Sequence, residues 1–103
     1  MSSVAITFAE SALADLEEIS TWYGEQGVSE VGTRLVLEVF ERVEALADHP
    51  DMGRIVPEFS QPFLRELIHP SFRIVYRHEG HRPLCLCRIA RSWERPNQNR
   101  EQA

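Results

Sequence analysis

The 103-residue sequence contains no lysine; all eleven of its basic residues are arginine. Anion recognition through ammonium groups is thereby excluded, and what remains is the planar guanidinium, which favours bidentate contacts to phosphate or carboxylate. Long apolar runs are missing too: none approaches the roughly 18 residues that a membrane span needs, so no membrane partner is expected. The opening MSSVAITFAES lacks a basic n-region and a long apolar h-region, which is not the composition of a signal peptide. A cytoplasmic location is the expectation that follows. Cysteine is scarce, with Cys85 and Cys87 two apart in an apolar run. On a regular strand they share a face, an unfavourable spacing for a disulfide. No further ligand stands beside them to complete a metal site. They read as small apolar residues, and neither metal nor cofactor is expected.

What is present is an uneven charge. The net charge is −5, yet residues 1–53 carry two arginines against eleven acids, a balance of −9, and residues 54–103 carry nine arginines against five acids, a balance of +4. Asymmetry of this kind points to a polyanion-facing surface or to a strongly acidic partner. The length fits a single domain over residues 1–103, able to bury about 60–70% of the surface its unfolded chain exposes.

Periodicity supplies the architecture. Val4, Ile6 and Phe8 alternate with smaller residues, the pattern of a half-buried strand. Ala12, Leu16, Ile19 and Tyr23 then recur at helical spacing over residues 10–26, with Asp15, Glu17, Glu18 and Glu25 expected on the outer surface. Gly24 and Gly27 break this helix, and Ser29 is the candidate cap of a second one, running to residue 48 with Leu35, Val36, Val39, Phe40, Val43, Leu46 and Ala47 as its apolar face. The short link makes the two helices an antiparallel hairpin. Three strand-like runs follow at 63–68, 72–79 and 84–93, joined by HPS and GHRP turns, so an antiparallel meander is predicted. The order β-α-α-β-β-β gives an α+β domain with the helices on one face of the sheet. Residues 96–103 are polar and expected to fray.

Strict alternation places Arg73, Val75 and Arg77 opposite Phe72, Ile74 and Tyr76. In the last run it groups Leu84, Leu86, Arg88 and Ala90 against Cys85, Cys87, Ile89 and Arg91. Two helices cover only one sheet face. The uncovered face is therefore expected to carry an open, guanidinium-rich wall including Arg73, Arg77 and Arg65, facing an anionic partner.

The pieces also resemble a known family. The initial strand, ALADLEEISTWY, ERVEALADHPDMGR, PEFSQPFLRELIHPSFRIVYRHEG and CRIARSWER, in this order and spacing, are similar to the RelE/ParE superfamily of toxins from type II toxin–antitoxin modules. The resemblance implies a bacterial toxin held in a hetero-oligomer with a cognate antitoxin, whose C-terminal segment wraps the toxin. Two activities are known in the superfamily. RelE-like members cut mRNA on the ribosome, and ParE-like members inhibit DNA gyrase.

Cleavage by 2′-OH attack needs a general base, and arginine, with a pKa above about 12, cannot serve. RelE-like enzymes offer lysines, a histidine or glutamate, and a C-terminal tyrosine or histidine. This sequence has no lysine, carries Arg91 after RIA, and has no tyrosine beyond Tyr76. For a ribonuclease, Arg65, Arg73 and Arg91 would bind phosphate, and Glu66 or His69 would have to act as base. Their simpler readings are a sheet charge and a turn residue. The set favours the ParE-like branch, with target contacts expected through Arg88, Arg91, Trp93 and Arg95, and antitoxin or anion contacts through Arg65, Arg73 and Arg77. The HEGH stretch at 78–81 lies at a strand end and lacks the helical i, i+4 spacing of zinc motifs.

Overall fold

The alternation of Ile6, Thr7 and Phe8 becomes the first strand, β1 (Ile6–Phe8), in the computed structural model, which describes residues 3–91. It leads into α1 (Glu10–Glu25), whose Ala12, Leu16 and Ile19 turn inward as expected. Asp15 was expected on the outer surface and is instead buried with them. No side chain caps the start of α1, because the residue at the cap is Ala9, and the Ser11 hydroxyl donates to the carbonyl of Cys87, 2.6 Å away. The second helix, α2 (Ser29–Asp48), begins at Ser29 rather than being capped by it. Leu35, Val39, Val43 and Leu46 form its buried seam, while Phe40 lies at the margin, exposed and tilted against Phe8 at 5.8 Å. The hairpin is tight at Gly32, where a Cβ would come within 2.8 Å of the Tyr23 Cβ.

The sheet has five strands in the order β1-β5-β4-β3-β2. Three were expected after the helices: β3 (Leu64–Ile68), β4 (Phe72–Arg77) and β5 (Leu84–Arg91), paired antiparallel as a meander. The fourth, β2 (Arg54–Ile55), is two residues long, too short to leave a periodic signal. β1 runs parallel to β5 in register Ile6 to Leu84. Both helices pack on one face, where Phe72, Ile74, Tyr76, Leu84, Leu86 and Ile89 complete the core. None of the described helices is long and apolar enough to cross a membrane.

One departure from simple alternation and one strand register decide where the arginines lie. Tyr76 pairs with Leu86 and Val75 with Arg88, so Cys87 is an extra residue in β5, a β-bulge. Past it the faces exchange. Leu84, Leu86, Ile89 and Arg91 turn toward the helices, and Arg88 and Ala90 toward the open side. The register places Arg65. It sits opposite Tyr76 and therefore on the helix side of the sheet, apart from Arg73 and Arg77.

At that edge Arg65 holds the loop following α2, donating to the carbonyl of Gly53 at 2.8 Å, with Asp51 3.8 Å away. Tyr76 works on the same loop. Its hydroxyl donates to the Pro50 carbonyl at 2.7 Å and accepts from the Gly53 amide at 3.0 Å. Gly53 is required there, because a Cβ would meet the Glu66 carbonyl and the Tyr76 hydroxyl at 2.7 Å. Tyr76→Phe should cost about 1–2 kcal/mol, since it leaves a buried amide without its acceptor. A urea titration checks this, and an unchanged midpoint would show that the loop holds without the hydroxyl.

Candidate functional site

On the open face the strand registers set three rows. Thr7, Cys85, Arg77 and Leu64 form one, Arg88, Val75, Glu66 and Arg54 the next, and Ala90, Arg73 and Ile68 the third. Glu66 lies near the centre, on the same face as the cations, with only 2% of its side chain exposed. Arg73 Nε donates to Oε1 and Arg54 Nε to Oε2, each at 2.7 Å. Burial pushes the Glu66 carboxyl up, but the bonds from Arg73 and Arg54 outweigh it, and the net shift is below the ordinary glutamate value. A carboxylate held this way is a weak base.

Arg88, Arg77 and Arg91 are also engaged. Arg88 donates from Nε and one terminal nitrogen to the two oxygens of Asp15, at 2.8 and 3.1 Å, which raises the Arg88 pKa. Asp15 Oδ2 also accepts from the Ile89 amide at 2.8 Å. Beyond the end of β1, then, α1 continues the hydrogen-bonding of the β5 edge through Ser11 and Asp15. Arg77 lies 4.7 Å over the Phe63 ring and 3.7 Å from Glu79. Arg91, expected to face a target, is 7% exposed, with its guanidinium 4.4 Å over the ring of Trp22 on the helix side.

The open guanidinium wall is therefore not what the chain builds. Arg65 is on the other face, Arg73, Arg54 and Arg88 are tied to the protein's own carboxylates, and Arg77 is loosely paired. Burying Glu66 among cations costs less when they neutralise it, which is why they converge. Arg88 keeps 63% of its side chain exposed despite its partner. Of the other target candidates, Trp93 and Arg95 lie outside the described residues. His69 stacks on Phe72 at 4.1 Å and accepts the Ser71 amide on Nδ1, in keeping with its reading as a turn residue. Among the described residues no three His, Cys, Asp or Glu side chains group to hold a metal ion.

Sequence reasoning also missed a cleft on this face. The segment after β2 folds back over the open face and, with α1 and the ends of β4 and β5, bounds a cleft of about 730 Å³. Val56, Phe59, Val75 and Ala90 give it apolar walls, and its charged lining mixes Arg73 and Arg88 with Asp15, Glu18 and Glu58. Val56 is 1% exposed, a small apolar centre separate from the main core. A loop gives no periodic signal. The nearest clue was the apolar pair Val56 and Phe59 among prolines.

Residues 6–94 match the model of a family described as the ParE toxin of the type II toxin–antitoxin system parDE. No curated protein matches the sequence. Among solved structures, the chromosomal ParDE toxin–antitoxin system from P. aeruginosa is similar at a TM-score of 0.68 and 24% identity, covering 86% of this chain and 96% of that one. The toxin–antitoxin complex RelBE2 from Mycobacterium tuberculosis is similar at a TM-score of 0.65 and 16% identity, covering 88% and 93%. At these identities the two structures establish a shared α+β fold.

Proposed function

Because the chain belongs to the ParE toxin family of type II toxin–antitoxin systems, within the RelE/ParE superfamily, we propose that it arrests growth by inhibiting DNA gyrase and is neutralised in a hetero-oligomer with a cognate antitoxin. The family match carries this reading. The state of Glu66 supports it, because the one carboxylate buried in the middle of the open face is held ionised by two arginines and is poorly suited to take a proton from a ribose hydroxyl. An antitoxin partner accords with the two similar structures, both toxin–antitoxin systems. Arg88 is the described candidate for target contact, being largely exposed at the mouth of the cleft. Arg91, buried against Trp22 on the helix side, is set aside as a target contact.

Expression without the antitoxin should stop growth. Normal growth at confirmed soluble expression removes the toxin reading and leaves a non-toxic interaction module of the same fold. Purified protein should inhibit gyrase supercoiling while leaving mRNA on programmed ribosomes intact. Codon-linked cleavage with normal supercoiling would instead establish the RelE-like endonuclease. Arg88→Ala should weaken gyrase inhibition about tenfold or more, the loss typical of removing one well-placed charged contact. The circular dichroism spectrum should be unchanged.

A further inference from the structure

In a regular strand, residues two apart rise about 6.6–6.8 Å, at the upper limit for a disulfide. Cys85 and Cys87 are not in a regular strand. The bulge falls at Cys87, the one residue of β5 between Leu86 and Arg88 without a partner on β4, and a bulge bends the strand and disrupts the ladder locally. Cys85 lies in the row with Thr7 and Arg77 on the open face, and both cysteines are unbridged and half-buried. Their sulfurs stay close to the same short stretch of backbone. Cys87 Sγ is 3.6 Å from the Cys85 carbonyl oxygen, and Cys85 Sγ is 3.8 Å from that of Leu86. Burial first, and then the neighbouring Cys85 sulfur, push the Cys87 thiol pKa up, with the Arg77 guanidinium opposing. The two sulfurs and Arg77 thus share one neighbourhood.

We propose that Cys85 and Cys87 form a dithiol modification site on the open sheet face that closes to an intrachain disulfide by exchange with a low-molecular-weight disulfide. The Cys85 thiolate attacks one sulfur of the incoming disulfide, forming a mixed disulfide and releasing one thiolate. Cys87 then loses its proton and attacks the Cys85 sulfur, closing the ring and releasing the second thiolate. Two protein thiols are oxidised, one external disulfide is reduced to two thiols, and the two protein protons end on those products. The raised Cys87 pKa suits the second position, where the attack is intramolecular and needs little thiolate. The ring would span the bulge, next to the Ser11 bond to Cys87 and two residues before the Asp15 bond to Ile89. The site is independent of the gyrase reading.

The experiment equilibrates the full chain with mixtures of reduced and oxidised glutathione, quenches with acid, labels with N-ethylmaleimide and reads intact mass. The expected product has lost two hydrogens, takes up no label and regains both thiols with dithiothreitol. Cys87→Ser should stop at a single glutathione adduct. The same equilibrium in urea reports whether the fold holds the pair. The native chain should favour the ring by about tenfold or more over the unfolded one. Stable adducts on the native protein, a linked dimer, no reaction, or equal ring formation in urea would each overturn the proposal.

Discussion

Glu66→Ala should destabilise the protein by about 3 kcal/mol, as expected when one member of a buried ion pair is removed and its partner is left uncompensated. The cost falls mainly on Arg73, whose side chain is 17% exposed. Arg54, on the other side of the same carboxylate, is 59% exposed, and Arg54→Ala should cost less than about 1 kcal/mol because solvent already screens that pair. Replacing Glu66 and Arg73 together with leucine should recover much of the loss, since the desolvation of both charges is then relieved. Urea unfolding of the four proteins tests the set. Equal losses for Glu66→Ala and Arg54→Ala would show that burial does not govern the cluster.

The same carboxylate gives a pH dependence with a definite sign. Its folded pKa lies below the ordinary 4.5, so the unfolded chain binds the proton more tightly. Stability from this group is complete above about 4.5 and is lost as pH falls through the lower folded value. Wild-type stability should therefore drop on acidification through that window. Glu66→Gln should be less stable than wild type at neutral pH and show a shallower acid loss. Identical pH profiles would assign the acid sensitivity to other carboxylates.

Asp15→Ala carries the second large effect, about 2 kcal/mol, because it strands the buried Ile89 amide as well as releasing Arg88. The two contributions separate cleanly. Asp15→Asn keeps an acceptor for the amide and should recover about half of the loss, whereas Arg88→Ala removes a largely exposed partner and should cost less than about 1 kcal/mol. Hydrogen exchange supplies a local readout: the Ile89 amide should exchange faster in Asp15→Ala and stay protected in Arg88→Ala. Protection retained in Asp15→Ala would mean that the helix does not anchor this edge of β5.

Much of the architecture was legible because it rests on local period. The stripe Ala12, Leu16, Ile19 and the alternation Phe72, Ile74, Tyr76 each report one buried face, and the turns between them leave few ways to connect the pieces. The site was less legible. The apolar spacing Leu84, Leu86, Ile89 changes from two to three and did carry the bulge, but strict alternation read through it and set Arg88 and Arg91 on the wrong faces. Asp15 looked like one more acid on an acidic helix. Nothing local distinguishes it from Glu17 or Glu18, and its partner Arg88 lies 73 residues away in sequence.

The sequence by itself determined the order of elements, the division between an acidic helical half and an arginine-rich sheet half, and the family likeness. All of these are properties of neighbouring residues or of their order along the chain. Only the tertiary structure decided which arginines stay exposed and which are buried or neutralised. Strand register brought Arg54 and Arg73 onto Glu66, one inserted residue turned Arg91 inward onto Trp22, and the packing of α1 along β5 gave Arg88 its carboxylate. A charge is set by residue type. Its compensation is set by which groups the fold brings within about 4 Å, and over such distances a weakly polar interior makes pairing decisive.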